Sequence, residues 1–154
     1  MIKKTIIVNS AEETRAMGNR LAVFSRAGDI LWLHGDLGAG KTEMTKGIAV
    51  GLAAQDAVSS PSFALIHEYT GGRLPLYHAD LYRLDTISAI DLGLEDYLEG
   101  DGLTVVEWGE RLPKDFYDDG IDLYLNRVDD QDSREIIIVP RGENAIAWLA
   151  RTEL

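Results

Sequence analysis

Apolar positions along the chain follow two spacings, which predict alternating strands and helices. Short apolar runs lie at residues 2–8, 29–34 and 103–106. Runs of this length between glycine or polar residues are typical of strands, and the second and third have the pattern of strands buried on both faces. A stretch with helical spacing follows the first run and places three apolar side chains on one face, namely Met17, Leu21 and Phe24.

Helix boundaries are marked by one serine and by glycines. Ser10 is followed three residues later by a glutamate, a capping-box pattern that predicts a helix start, and Gly28 is placed to end that helix in a left-handed turn. A second helix is predicted over residues 42–52 and a third around residues 92–98, closed by Gly100. The second helix has apolar side chains at four-residue steps that are predicted to face the sheet, namely Met44, Ile48 and Leu52.

Two pairs of extended segments predict antiparallel additions to the sheet. Residues 63–69 and 74–79 flank a glycine pair, which indicates a hairpin, and residues 121–128 and 134–139 flank a polar turn. Strands that alternate with helices indicate a parallel sheet between helical layers. We therefore predict an α/β fold of three layers, with a mostly parallel central sheet, antiparallel additions and flanking helices.

Length and charge restrict the possible functions. The 154 residues fit a single domain over residues 1–154. The net charge of -11 repels nucleic acid phosphates, so we do not expect the chain to bind DNA or RNA alone. The absence of cysteine excludes disulfides, thiolate chemistry and cysteine-ligated zinc. The N-terminal apolar run is too short for a signal peptide and no stretch has the length of a membrane span, so we predict a soluble cytoplasmic protein.

Residues 35–42, GDLGAGKT, match the phosphate-loop pattern G-x-x-x-x-G-K-[ST] between a predicted buried strand and a predicted helix. Random arrangement of this composition would produce the match in roughly 1 of 200 sequences. The glycines allow the backbone N–H groups to turn toward one anion. In this arrangement Lys41 reaches the β- and γ-phosphates, the helix N-terminus adds a favourable dipole, and Thr42 offers its hydroxyl to magnesium.

Two acidic residues are placed to serve a magnesium ion or an attacking water. Glu107 follows the buried run at residues 103–106, and Asp80 ends the extended segment at 76–79, so both are expected at the carboxyl edge of the sheet. Of the three histidines only His78, two residues before Asp80, is close to this chemistry. The acid-rich turns near residues 115–122 and 129–132 lack the glycine and terminal glutamate of a calcium loop and are interpreted as solvated surface. Trp108 is expected either near the nucleotide or in the core or an interface.

Five motifs together resemble the TsaE (YjeE) family, in order and in spacing. They are GDLGAGKT at residues 35–42, SSPSF at 59–63, LPLYHADLYRL at 74–84, GLEDY at 93–97 and EWGER at 107–111. The resemblance covers residues 10–111 and is far more specific than the phosphate loop alone. It implies a P-loop NTPase fold and a role in the synthesis of threonylcarbamoyl-adenosine, the modified base beside the anticodon of tRNAs that read codons beginning with A.

The resemblance also implies a division of labour among partner proteins. The family's ATPase works with TsaD and TsaB, where TsaD performs the transfer chemistry and the ATPase permits repeated turnover. Hydrolysis is expected to be weak in the isolated chain, and tRNA is expected to be reached only through the complex. No membrane or DNA partner is implied. The acidic net charge agrees with this arrangement.

Site residues carried over by position divide into three roles. The expected cofactors are ATP or ADP and Mg²⁺. Lys41 and Asp80 are assigned to catalysis, and Thr42 and Glu107 to the metal. The segment at residues 59–62 is expected to act as a switch near the γ-phosphate. The nucleotide-binding set, with its N-terminal members near the base, is Ser10, Thr14, Gly38, Ala39, Gly40, Lys41, Thr42 and Glu43.

Other interpretations of the phosphate loop are weaker or remain open. A GTPase would use an N-K-x-D motif, and residues 126–129, NRVD, lack the lysine. A small-molecule kinase would need an acceptor pocket and an arginine-bearing lid, for which the chain has no inserted segment. A nucleotide-gated binding module with negligible turnover of its own needs the same loop and metal ligands, so the sequence leaves it open beside an ATPase.

Overall fold

The computed structural model describes residues 3–55, 66–113, 115–128 and 132–154. Strands and helices alternate along the first half of the chain. A pair of strands and one helix form its C-terminal end. The strands are β1 Lys4–Val8, β2 Ile30–His34, β3 Ile66–Tyr69, β4 Leu76–Asp80, β5 Leu103–Glu107, β6 Gly120–Arg127 and β7 Arg134–Arg141. The helices are α1 Ala11–Val23, α2 Lys41–Gly51, α3 Thr86–Asp91, α4 Leu94–Leu98 and α5 Glu143–Thr152, with a 3-10 turn at Gly109–Arg111.

The strands form one seven-stranded sheet in the order β1-β7-β6-β2-β5-β4-β3. The central strands β6, β2, β5 and β4 run parallel to one another, and β3, β7 and β1 each pair antiparallel with the strand beside them. This confirms the predicted parallel centre with antiparallel additions. The pairing of β6 with β7 is confirmed, and so is the first hairpin over β3 and β4, although residues 63–65 of its predicted first arm lie outside the described residues.

Helices cover both faces of the sheet. On one face, the core joins α1, α2 and α5 to the sheet through side chains such as Leu33 and Trp148. On the other, α3 and α4 pack with Trp32 and Leu81. The predicted sheet-facing positions of α2 are confirmed, since Met44, Ile48 and Leu52 are completely buried. Across the described residues, no helix combines the length and the apolar character needed to cross a membrane.

The end of the first helix differs from the prediction. The capping box is confirmed at Ser10, whose hydroxyl accepts from the backbone N–H of Glu13, but α1 ends at Val23 and not at Gly28. Gly28, with φ of +90°, instead donates its N–H to the carbonyl of Gly102, so it directs the chain into β2. Phe24 is therefore outside the helix and partly exposed.

The predicted third helix corresponds to α4 at Leu94–Leu98, and helices α3 and α5 were not predicted. Gly93 adopts a left-handed conformation between α3 and α4, which interrupts the helix before Leu94. The C-terminal helix α5 buries Trp148, whose indole N–H donates to the carbonyl of Leu21 at 2.9 Å. The C-terminal helix therefore closes the same face of the sheet that α1 and α2 cover.

Candidate functional site

A cleft of about 360 Å³ lies at the carboxyl ends of β2, β4 and β5. Ligands of open α/β sheets usually bind at this edge, because loops that follow the parallel strands converge there. Eight of the sequence-predicted site residues line the cleft, namely Thr14, Gly38, Gly40, Lys41, Thr42, Glu43, Asp80 and Glu107. The two remaining ones, Ser10 and Ala39, do not line it.

The glycine-rich loop, residues 35–42, joins β2 to α2. Gly35 lies against β6, where a Cβ would stand 2.7 Å from the carbonyl oxygen of Leu125. Gly40 has φ of +109°, a conformation that side chains disfavour, and it precedes the first turn of α2. No side chain caps α2, so the N–H groups of its first turn are not engaged by a capping residue. An uncapped helix N-terminus beside glycines is suited to an anion.

Two arginines bind this loop through its backbone carbonyls. Arg134 on β7 donates through Nε to the carbonyl of Ala39 at 2.7 Å and through Nη2 to that of Gly38 at 3.1 Å. Arg127, its cross-strand partner on β6, also donates to the carbonyl of Gly38, at 3.2 Å. The two arginines therefore anchor the loop through its carbonyls, and Arg134 also lines the cleft. Sequence reasoning missed both arginines, because no local pattern connects them to a loop about 90 residues earlier.

Lys41 is only 6% exposed and points into the cleft. Its Nζ atom lies 3.9 Å from Oε1 of Glu107 and 4.4 Å from the centre of the Trp108 ring. An ammonium between a carboxylate and an aromatic face is stabilised by both. The lysine is thus held in the cleft at the place where the phosphate-loop pattern requires it.

Glu107 is held by a buried histidine. Nε2 of His78 lies 2.5 Å from Oε2 of Glu107, and both side chains are almost fully buried. An ionised carboxylate only accepts hydrogen bonds, so this contact assigns the proton to Nε2 of His78. Among the described residues Nδ1 of His78 has no hydrogen-bond partner. The suspicion that His78 belongs to this chemistry is therefore supported by a contact with Glu107 and not with Asp80.

Asp80 lies beside Glu107 as its register partner on β4. Burial raises the pKa of the Asp80 carboxyl, the negative charge of Glu107 raises it further, and the N–H of Tyr82, which donates at 3.0 Å, opposes the shift. A carboxylate with a raised pKa is a better proton acceptor than an exposed one. Asp80 can therefore orient or deprotonate a water in the cleft.

The donor set of the cleft fits a magnesium ion that arrives with phosphates. Thr42 offers a hydroxyl and Glu107 a carboxylate oxygen, and oxygen donors are what Mg²⁺ prefers. Within the described ranges, no group of three or more histidine, cysteine or acidic side chains is placed to hold a metal by itself. A Mg²⁺ ion at this site therefore needs ligands from a nucleotide or from water, as is usual for this metal.

The start of α1 forms the opposite wall of the cleft. Thr14 is buried and its hydroxyl donates to the carbonyl of Ser10 at 3.3 Å. Ser10 itself acts as the helix cap, and the carboxylate of Glu13 accepts from the N–H of Asn9. Glu43 lines the cleft and pairs with Arg15 of α1 at 2.6 Å, and this guanidinium lowers the pKa of the Glu43 carboxyl.

Several lining residues were not assigned from the sequence. Trp108 and Tyr82 form an aromatic wall, with ring centres 4.9 Å apart. Trp108 has φ of +61° and its ring lies beside Lys41, and it also packs against the core cluster that contains Trp32, so the positions expected at the cleft and at the core are both observed. Leu37 and Asp132 line the mouth. The predicted switch segment at residues 59–62 lies outside the described residues.

Comparisons with known proteins agree on one family. The family model "Threonylcarbamoyl adenosine biosynthesis protein TsaE" matches residues 8–136. A tRNA threonylcarbamoyladenosine biosynthesis protein TsaE from Bacillus subtilis (strain 168) is 44% identical over 131 residues, 85% of this chain and 82% of that protein. A protein of the same name from Nostoc sp. is 45% identical over 112 residues, 70% of this chain and 69% of that protein.

A solved structure is similar over nearly the whole length. The crystal structure of Bacillus subtilis YdiB superposes with a TM-score of 0.81 at 36% sequence identity, and the match covers 99% of this chain and 95% of that one. The residues matched by the family model include the glycine-rich loop and both acidic strand ends. The chain therefore belongs to the TsaE family of threonylcarbamoyl adenosine biosynthesis proteins.

Proposed function

We propose that this protein is a magnesium-dependent ATPase of the P-loop type that serves tRNA threonylcarbamoyladenosine synthesis. The observation that carries the proposal is the position of Lys41, held between the glycine-rich loop and the carboxylate of Glu107 in one cleft. This arrangement combines a cradle for phosphates with oxygen donors for their metal. The names of the relatives support the pathway.

Each group in the cleft has a defined task in this proposal. Loop amides and Lys41 bind the phosphates of ATP, and Thr42 with Glu107 hold the metal. Bound Mg²⁺ would neutralise the charge that develops on the phosphate oxygens. Asp80 accepts a hydrogen bond from the attacking water and positions it opposite the leaving group. Thr14 and the start of α1 lie where they can contact the base or ribose.

The proposed partners are TsaB and TsaD. A chain with net charge -11 repels tRNA, so contact with the substrate is indirect and hydrolysis is coupled to the partner complex. The isolated chain then needs only slow turnover, which the partners accelerate. The proposed setting is the cytoplasm, where ATP and tRNA are both available.

The test measures phosphate release from ATP by the purified chain, alone and with the TsaB–TsaD pair, beside the yield of threonylcarbamoyl-tRNA. We expect the partners to stimulate release, and the tRNA product to exceed one turnover only with hydrolysable ATP. Lys41→Ala should lose nucleotide binding or hydrolysis, and Asp80→Ala should bind nucleotide without turnover. Normal hydrolysis by either variant would contradict the role given to that residue.

A nucleotide-gated binding module is the second candidate, and one contact favours it. Lys41 touches Glu107 and Trp108, so phosphates that draw the ammonium away would change the chain just before the 3-10 turn Gly109–Arg111. A nucleotide-dependent surface needs no fast hydrolysis. Product that accumulates over many turnovers while phosphate release stays at background would favour this function over the ATPase.

A further inference from the structure

A second cleft, here named the aromatic cleft, lies on the opposite face of β2 from α1 and α2. It has a volume of about 340 Å³ and takes no part in the proposed nucleotide site. Its lining alternates with core residues along β2 and β6, because successive side chains of a strand point to opposite faces. The lining residues used below are Trp32, His34, Glu110, Asp122, Tyr124 and Arg141.

The aromatic cleft already contains one arginine bound to a ring and a carboxylate. The guanidinium of Arg141 lies 5.7 Å from the centre of the Trp32 ring, and its Nε donates to Oδ2 of Asp122 at 2.5 Å. The other oxygen of Asp122 is 2.7 Å from Nε2 of His34. Both oxygens of this buried carboxylate are thus engaged within the chain.

The aromatic cleft also contains a second carboxylate, that of Glu110, and a second aromatic surface, formed by His34 and Tyr124. The rings of His34 and Tyr124 stack with centres 4.5 Å apart and an interplanar angle of 17°. Glu110 reaches His34 only at 3.5 Å, and its side chain is 51% exposed. In the described part of the chain, no arginine or lysine pairs with Glu110. Tyr124 is 40% exposed, so the stacked face and the carboxylate are both accessible from solvent.

Charge and shape together select the occupant. Acidic residues at 115, 118 and 119 flank two of the lining residues in the sequence, and the whole chain has a net charge of -11, so a cationic group is attracted. A guanidinium is planar, stacks on aromatic rings and donates a two-pronged hydrogen bond to a carboxylate, which an ammonium does not. We propose that the aromatic cleft receives an arginine side chain of a protein partner, stacked near Tyr124 and paired with Glu110.

This inference rests on the proposed function for its partner, because it assumes that the TsaB–TsaD pair supplies the arginine. The two clefts share backbone. Glu110 lies two residues after Trp108, in the turn that follows Glu107, and His34 is bonded directly to Gly35 of the glycine-rich loop. A partner arginine on Glu110 would therefore hold the segment that carries the proposed metal ligand.

The first test measures the affinity of the chain for the TsaB–TsaD pair by titration calorimetry. Glu110→Lys should weaken binding about tenfold or more, because it replaces attraction by repulsion, and Glu110→Gln should weaken it less. Glu68→Lys is the matched control, since Glu68 is an exposed acid on β3, at the other edge of the sheet. The control should bind like the wild type, and all three variants should keep their affinity for MgADP.

If Glu110→Lys and Glu68→Lys lose the same affinity for the TsaB–TsaD pair, only the net charge of the chain matters for binding. If Glu110→Lys keeps the wild-type affinity, the pair does not bind through the aromatic cleft. Either result would overturn the inference and leave the proposed ATPase function unaffected.

A second experiment uses N-acetyl-argininamide as the probe and follows the indole N–H of Trp32 by NMR. We expect a saturable shift that the lysine analogue does not match and that Glu110→Lys reduces. Absence of this shift overturns the inference, whereas its presence without any binding of the TsaB–TsaD pair supports the cleft chemistry and rejects the proposed partner.

Discussion

The two carboxylate oxygens of Glu107 have different neighbours, and these contacts fix the orientation of the side chain. Oε2 accepts from Nε2 of His78, while Oε1 faces Nζ of Lys41 at 3.9 Å. Residues that hold a metal-binding carboxylate from behind fix its orientation and tune its affinity. His78 is therefore a positioning residue, which leaves one oxygen of Glu107 free to serve the cleft.

Replacement of His78 should change the magnesium requirement more than nucleotide binding itself. We expect His78→Leu to raise the Mg²⁺ concentration for half-maximal phosphate release by about tenfold, because the carboxylate loses its anchor. His78→Gln, whose amide N–H can reach the same oxygen, should retain most of the wild-type value. ADP affinity in the presence of a chelator should be the same in all three proteins. A folded His78→Leu protein with an unchanged Mg²⁺ requirement would contradict this role.

Some residues of the cleft could be predicted from the sequence and others could not. The glycine-rich loop, Lys41 and Thr42 are local in sequence, and Asp80 and Glu107 follow strand patterns, so the cleft that contains them could be expected. Arg134 acts on carbonyls about 95 residues earlier in the chain, and only the order of strands in the sheet brings it there. The sequence contains no local pattern for such a contact.

Helices α1 and α2 approach each other closely at their glycines. Gly47 of α2 lies against α1 so closely that a Cβ would stand 2.0 Å from the carbonyl oxygen of Arg15, and at Gly18 the corresponding distance to Met44 is 2.3 Å. The two helices therefore pack backbone to backbone. This contact sets the start of α1 beside the glycine-rich loop, where Thr14 lines the cleft.

Gly47→Ala should destabilise the protein by about 2 kcal/mol or more, since the added methyl group forces the helices apart and overpacking of this kind is costly. The control is Val50→Ala in the same helix, where the side chain is 68% exposed, and its effect should stay within about 0.5 kcal/mol. Urea unfolding followed by circular dichroism measures both. A Gly47→Ala protein as stable as the control would mean that α1 and α2 do not depend on this contact.

Strands β6 and β7 should influence nucleotide binding through the arginines that hold the loop. Arg134→Lys keeps the charge but not the fork that reaches two carbonyls, so we expect the affinity for ADP to fall about tenfold, roughly 1.4 kcal/mol. Arg20→Lys is the matched control, because Arg20 also donates to a backbone carbonyl, that of Thr152, away from the cleft. Fluorescent-nucleotide titration compares the three proteins. Equal affinities would show that the loop keeps its shape without Arg134.

The elements themselves were predicted well where the pattern was local and less well at glycines. The helix predicted at residues 92–98 begins only at Leu94, because Gly93 adopts φ of +78°, which a propensity argument does not anticipate. Helix α5 was missed although its buried residues recur with helical spacing, namely Ala145, Trp148, Leu149 and Thr152. That pattern was present in the sequence and would have identified the helix.

For the whole molecule, charge and architecture favour different partners at different places. The net charge of -11 opposes nucleic acid, while the glycine-rich loop, Lys41 and the two arginines that bind the loop's carbonyls place cationic groups at the sheet edge beside the acids of the cleft. Exposed charges farther apart than about 8 Å are largely screened at physiological salt, so this local site can bind an anion despite the total.

We expect the isolated chain to leave tRNA unshifted in native gels at physiological salt, because its net charge of -11 repels the phosphates of tRNA. Addition of the TsaB–TsaD pair should shift the tRNA, and the chain should then migrate with the complex. The pair without this chain is the control for direct binding. A shift produced by the isolated chain at micromolar concentration would contradict the proposed indirect contact.

The position of Trp108 beside Lys41 has an optical consequence. Of the three tryptophans, Trp32 and Trp148 are buried in separate clusters, and Trp108 lines the cleft with the lysine ammonium 4.4 Å from its ring centre. The emission of an indole responds to the electric field of a nearby charge, and phosphates that capture the ammonium would alter that field. The protein thus contains its own fluorophore at the proposed nucleotide site, and we expect stopped-flow fluorescence to time nucleotide binding and release without a label.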